Sequence, residues 1–221
     1  KLTAKYGNQT AFTINGLISD FSKYGDANIN VDITNFKTSV QDLQEFIRIG
    51  SPNFALGPQL ESLENIELTL KAKGKLSNLN IVTRVNTSPG SLSFDGKGSA
   101  DSKFQNININ GQLITNNLQI GKIIGEQIGV DDLSLNTLAE INIKKGELPT
   151  VSADGNIGSV FYKGYQYSDL AINGVYNGNQ NNVIGHVFTD TEDNKFDLRA
   201  DIGFGDQMKF DVQGTIDKLF L

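Results

Sequence analysis

The sequence has no cysteine and no tryptophan, and only one histidine, one methionine and four prolines. Without cysteine there are no disulfides, no thiolate metal sites and no thiol nucleophile. The lone histidine, His186 in VIGHVF, leaves no Ser-His-Asp arrangement worth assembling, and zinc would need several histidines. No apolar run approaches the ~18 residues of a membrane-spanning helix. The net charge of -6 comes without any long block of one sign. A basic face is therefore missing, which excludes nucleic acid and adsorption to an anionic bilayer surface. Phosphate-cradling loops are also missing, because the glycines lie within alternating runs and not at strand-to-helix turns. Nothing here points to an enzyme or a cofactor.

What is present is alternation. Counting glycine and leaving out tyrosine, apolar usage is about 46%, enough for a folded chain. Runs with apolar residues at every second position include Ile29, Val31, Ile33; Leu133, Leu135, Ala139, Ile141, Ile143; and Phe196, Leu198, Ala200, Ile202, Phe204. Their other faces carry Asn, Asp, Lys, Thr and Ser. Such strands belong to an antiparallel sheet with one wet face. Residues 39–49 read as a helix: Ser39 is a good N-cap, and Val40, Leu43, Phe46 and Ile47 form an apolar stripe. Residues 59–65 could add one helical turn, and 118–130 fit a helix or a bent strand equally. Turns are expected at 88–90, 177–182 and 191–194. No linker divides residues 1–221, which read as one elongated β-unit. The chain opens on KLTAKYG and closes on TIDKLFL, both mid-pattern, so it reads as a mature chain or a piece of something longer.

One pattern recurs seven times at irregular spacing: apolar-x-apolar-x-Gly. The copies are Phe12, Ile14, Gly16, Ile18; Leu68, Leu70, Ala72, Gly74, Leu76; Leu92, Phe94, Gly96; Ile107, Ile109, Gly111, Leu113; Val151, Ala153, Gly155, Ile157; Leu170, Ile172, Gly174, Tyr176; and Phe210, Val212, Gly214, Ile216. Several contain Asn-Gly or Asp-Gly, the strongest short hairpin signal. A turn at Asn110-Gly111, however, would pair Ile109 with Gln112 and Asn108 with Leu113, mixing apolar with polar on both faces. Since a one-residue slip reverses every side chain, these strands should run straight through their glycines. Glycine inside a strand marks a bend or a close backbone approach. Two architectures remain even on these grounds: a curved sheet with an apolar concave groove lined by the in-phase residues, or a β-sandwich core.

Other chemistry is weaker. Asp131-Asp132, Asp190/Glu192/Asp193 and Asp201/Asp206 are candidate carboxylate pairs, but acidic residues at turns usually serve turn geometry. TDTEDN, 189–194, lacks the glycine and distal Glu of a known calcium loop. Tyr162, Tyr165 and Tyr167 could stack on a sugar; cross-strand aromatic pairing on one sheet face is the preferred reading.

The segment 151–216, with VSADGNIGSVFYKGYQYSDLAINGVYNG, TDTEDNKFDLRADIGF and MKFDVQGTI, resembles the TamB (translocation and assembly module) family of the AsmA-like superfamily. Residues 118–141, LQIGKIIG and IGVDDLSLNTLAEI, are similar to the segment preceding it there. The resemblance covers roughly 115–221 and, in style only, the N-terminal half. It implies a taco-shaped β-sheet with an apolar inner groove, in a protein anchored in the inner membrane and spanning the periplasm of a Gram-negative bacterium. It further implies transport of phospholipid toward the outer membrane, support of outer-membrane assembly, and an outer-membrane barrel partner engaged through regions absent here. The competing readings are a structural or adhesive β-sandwich or β-solenoid of the cell surface, and a glycan-binding β-protein.

Overall fold

The computed structural model describes residues 1–7, 9–20, 27–50, 61–124, 130–204 and 208–219. Thirteen strands form one sheet whose spatial order is the sequence order. They are β1 (Leu2–Tyr6), β2 (Thr10–Ser19), β3 (Asn28–Ser39), β4 (Asn65–Lys75), β5 (Asn78–Thr87), β6 (Gly90–Ala100), β7 (Asn106–Gln119), β8 (Val130–Lys144), β9 (Thr150–Tyr162), β10 (Tyr165–Asn177), β11 (Asn182–Asp190), β12 (Lys195–Phe204) and β13 (Met208–Lys218). Every pairing is antiparallel. Strands β1 and β13 do not pair with each other, so the curled sheet stays open. The antiparallel strands are those the alternation predicts, and of the two architectures it left open the structure is the curved sheet.

The strands run through their Asn-Gly and Asp-Gly pairs. Asn110 faces Glu140 and Gly111 faces Ala139 on β8, while Gly111 faces Gly96 on β6. Reversals occur elsewhere. Lys163-Gly164 joins β9 to β10 with φ of 48° and 90°, the paired left-handed conformation that matches strand twist in a two-residue hairpin. Ser88-Pro89 joins β5 to β6. Leu76 and Ser77 make the β4–β5 turn, so Leu76 ends its strand where the spacing would continue it. Gly74, just before, has φ of 134°, which a side chain tolerates poorly.

Among the described residues, two helices longer than a turn interrupt the meander at the same end of the strands: α1 (Val40–Gly50) after β3 and α2 (Ile120–Ile124) after β7. The first is the helix expected at 39–49. Its Asp42 amide donates to Ser39 Oγ at 3.0 Å, the capping bond expected of that serine. Val40 is buried and the Phe46 ring meets Tyr6 edge-on, centroids 6.1 Å apart. Asp42 also accepts from Thr10 Oγ1 at 2.9 Å, tying the helix to β2. The ambiguous stretch 118–130 resolves into the end of β7, then α2; residues 125–129 lie outside the described ones.

No second layer covers the sheet among the described residues. The buried apolar side chains are Ala27, Val40, Ala72, Ala100, Ala139 and Leu170, mostly small. Accessible surface totals 14107 Å² for 24.1 kDa, against about 10,000 Å² for a compact monomer of that mass. A β-sandwich of these strands would have hidden much of that difference.

Candidate functional site

The registers show what the single strands cannot. Starting from Gly111, register partners can be followed across the sheet on one face. One row reads Gly16, Val31, Ala72, Ile81, Gly96, Gly111, Ala139, Ala153, Gly174, Gly185, Ala200, Val212. From β6 to β12 every member is glycine or alanine. At a strand spacing of ~4.8 Å that small-residue row runs ~29 Å. The rows on either side are larger. On one side stand Ile14, Ile33, Leu70, Thr83, Phe94, Leu113, Thr137, Gly155, Ile172, Val187, Leu198 and Gly214. On the other stand Ile18, Ile29, Gly74, Leu79, Gly98, Ile109, Ile141, Val151, Tyr176, Val183, Ile202 and Phe210.

All the in-phase residues of the glycine repeat that lie in strands share this one face. Phe12, Ile14, Gly16 and Ile18 are on β2, Leu68, Leu70 and Gly74 on β4, and Leu92, Phe94 and Gly96 on β6. Ile107, Ile109, Gly111 and Leu113 are on β7, Val151, Gly155 and Ile157 on β9, and Leu170, Ile172, Gly174 and Tyr176 on β10. Phe210, Val212, Gly214 and Ile216 are on β13. Leu76 stands apart in its turn. Most of these side chains are only partly buried, and exposure is greatest at the two ends of the sheet, from 49% at Ile18 to 62% at Phe210.

Outside the β-bulges, this face carries no Asp, Glu, Lys, Arg, His, Asn or Gln among the described residues. Its polar groups are chiefly threonines, and they are occupied. Thr115 sits beside the irregularity between Thr115 and Leu118. Its hydroxyl donates to the Leu133 carbonyl at 3.2 Å and accepts from the Leu135 amide at 3.0 Å. Thr189 donates to the Asp169 carbonyl at 3.1 Å, where Asp169 has φ of 56°. Thr10 and Thr38 bond one another at 2.7 Å. Backbone groups freed by irregular pairing are thus satisfied locally, which keeps an apolar face free of exposed donors and acceptors.

The glycines divide into two kinds. A Cβ on Gly96 would meet the Asn110 carbonyl oxygen, the Gly111 Cα at 2.6 Å and the Phe94 ring at 2.7 Å. One on Gly111 would meet the Asp95 carbonyl oxygen, the Gly96 Cα at 2.5 Å and the same ring at 2.9 Å. The two strands lean together on the apolar face, and Phe94 lies over the pair. Gly155 meets the Thr137 Cα at 2.5 Å in the same manner. Gly16 and Gly174, by contrast, have ordinary room, with nearest atoms at 3.4 Å.

The opposite face carries the charged and amide side chains, cross-linked to one another, with Leu17, Val82, Leu138, Val175, Ile184 and Phe188 exposed among them. Asn108 donates to Glu140 at 2.9 Å and to Asn142 at 2.8 Å, Gln112 to Asn136 at 2.9 Å, and Asn173 to Asp154 at 2.8 Å. His186 is here, 2.8 Å from Asp197, at the edge of a cleft of about 460 Å³ lined also by Val175, Ile184, Arg199, Asp201 and Asp211. Tyr162 and Tyr165 face each other across the β9–β10 hairpin, and Tyr167 faces Val160. Val160 in turn faces Leu133, so the tyrosines lie on the apolar face, with the sheet between them and Asp197, Asp201 and Asp211. Asp190 pairs with Lys195 at 3.5 Å at the β11–β12 turn. Asp206 lies outside the described residues. Among those described, no group of three or more His, Asp or Glu could hold a metal ion, and no helix is long and apolar enough to cross a membrane.

Spacing had missed Val31, Ala72, Ile81, Ala139, Ala153, Gly185 and Ala200 as one row. Each has the right parity in its own strand; only register aligns them.

Fold and face together define an open, all-antiparallel β-meander with one continuous uncharged apolar side. The chain matches no protein-family model, no curated protein and no solved structure.

Proposed function

We infer that this chain is a segment of a conduit for the acyl chains of phospholipid, which slide along the apolar side of the curled sheet. The observation that carries this reading is the ion-free face, continuous over thirteen strands and left partly open to solvent. Burial of a methylene is worth ~0.8 kcal/mol wherever along the face it occurs. With no charged group to fix a headgroup, no position is preferred and movement along the rows has no large step to climb. The small-residue row leaves space between two bulkier walls. In line with the TamB resemblance, the full-length protein would be anchored in the inner membrane and bridge the periplasm. It would deliver lipid toward the outer membrane and support assembly there with a barrel partner.

The test is a photo-crosslinking residue placed in turn at Ile109, Ile172 and Val212, with Asn173 on the polar face as control, in cells or with phospholipid vesicles. Mass spectrometry should find lipid adducts at the three apolar positions and none at Asn173. A folded protein with no adduct at any of the three defeats the reading. Ile109→Asp should leave the fold intact and reduce adducts at Ile172. If it unfolds the protein, the face is a closed core.

A further inference from the structure

The β9–β10 hairpin lies in the middle of the sheet and ends the apolar face on the side where α1 and α2 sit. Tyr162 is the register partner of Tyr165 and of Val130, and Tyr167 that of Val160, so three phenol rings stand on the apolar face at this rim. Tyr162 is 39% and Tyr165 45% exposed, and none of the three hydroxyls has a hydrogen-bond partner among the described residues. Lys163, at the turn, reaches back over them: its Nζ stands 5.4 Å from the centroid of the Tyr162 ring. It makes no ion pair among the described residues. Asp131 and Asp132 are near in sequence to Val130, but they line a hollow with Lys122 and Phe161. Phe161 is out of phase with the tyrosines, which puts that hollow on the other side of the sheet.

The opposite rim is different. There β7, β8 and β9 bring Ile107, Ile143 and Val151 to the same face, and aliphatic side chains offer a ligand no hydrogen bond. Lys145, in the adjoining turn, has Glu147 two residues away. Along the strands the face therefore runs from aliphatic at one end to phenols and an unpaired ammonium at the other. A tyrosine suits a boundary where its ring is in hydrocarbon and its hydroxyl is wet, and a lysine meets phosphate as a point charge. One acyl tail spans about 15 Å, half of a ~30 Å bilayer core. At ~3.4 Å per residue, a tail that starts at Tyr165 reaches Leu170 and its partner Ile157. We propose that this hairpin is a headgroup station: Lys163 and the hydroxyls of Tyr162 and Tyr165 hold the phosphate of an amphiphile whose tail lies over Ile157 and Leu170. The inference rests on the acyl-chain reading and adds an orientation to it. The interior of the face prefers no position; this rim turns the polar end of the lipid toward the helix side.

The test uses a photo-crosslinking residue at Ile157, beneath the station, or at Ile109, toward the aliphatic rim, with adducts read by mass spectrometry. The probes are palmitoyl lysophosphatidate and monopalmitoylglycerol, which share a tail and differ in the phosphate, both below micelle-forming concentration. Lysophosphatidate should label Ile157 about tenfold better, the size of one hydrogen bond to a charged group, and the two should label Ile109 alike. Combining Lys163→Gln, Tyr162→Phe and Tyr165→Phe should erase the difference at Ile157 while Ile109 labelling and the circular dichroism spectrum stay as they were. Lys163→Arg alone should preserve the difference. Equal labelling of Ile157 by the two probes, with Ile109 labelled, overturns the station and leaves the conduit standing. No labelling at either position by either probe defeats the conduit and the station with it. A preference that survives the triple variant places the phosphate elsewhere and overturns the assignment. Millimolar inorganic phosphate should compete weakly; if it abolishes the preference outright, the ligand is the free anion and the station is overturned.

Discussion

Adding one methyl group at Gly111 tests whether these glycines are there for room. A Cβ at this position would sit 2.5 Å from the Gly96 Cα and 2.9 Å from the Phe94 ring, and closer still to the Asp95 carbonyl oxygen. Two of these are backbone atoms that cannot rotate away. Strands β6 and β7 must move apart or shift register, and overpacking of this kind costs about 1–3 kcal/mol. Gly174→Ala is the matched control, in the same row with nearest atoms at 3.4 and 3.5 Å. There the alanine fits, and reduced freedom of the unfolded chain should stabilise it by about 0.4–1 kcal/mol. The assay is urea unfolding monitored by circular dichroism, with amide exchange in β6 and β7 to localise the effect. Gly111→Ala should lower the midpoint and Gly174→Ala should hold or raise it. In a Phe94→Ala background most of the Gly111→Ala cost should persist, because the backbone contacts remain. Equal midpoints for the two alanine variants would refute the reasoning.

Other consequences are as specific. Thr115→Val keeps shape but leaves the Leu133 carbonyl and Leu135 amide without their hydroxyl partner, so it should cost about 1–3 kcal/mol and speed amide exchange at Leu135. Asp101 closes the β6–β7 turn by accepting from the Lys103, Gln105 and Asn106 amides and the Asn106 side chain. Chiefly the Gln105 amide and then the Asn106 side chain hold its carboxyl below the usual carboxylate range. The turn's stabilisation is therefore complete above the ordinary aspartate value and is lost as pH falls through the lowered folded one. Amide exchange at 103–106 should show this dependence, and Asp101→Asn should abolish it. The exposed Lys37–Glu67 pair, 2.6 Å apart, should give no more than about 1 kcal/mol in a double-mutant cycle and less in high salt.

The parity of apolar residues carried the strands, the uninterrupted run through Asn110-Gly111 and the shared face of the repeat, because those depend only on neighbours along one strand. What parity could not carry is register. The alignment of Gly96, Gly111, Ala139, Ala153, Gly174, Gly185 and Ala200 is a property of many pairings at once, and an alanine in one strand does not announce its partner in the next. Bulges hid a second feature. Tyr165 and Tyr167 are out of phase with Leu170 and Ile172 in sequence, yet an irregularity around Gly158 and Asp169, absent from the paired registers, returns them to the same face. Leu76 went the other way: its spacing continued a strand that the Leu76-Ser77 turn had already ended.

Because neighbours in space are neighbours in sequence, no strand waits for a distant partner. Contacts form between segments that emerge one after another, the arrangement that favours fast, stepwise folding. It also makes length a free variable. Adding or deleting one hairpin changes the span by ~9.6 Å and leaves every other pairing as it was. The reach of a protein built this way is set by counting hairpins, without redesigning any of them.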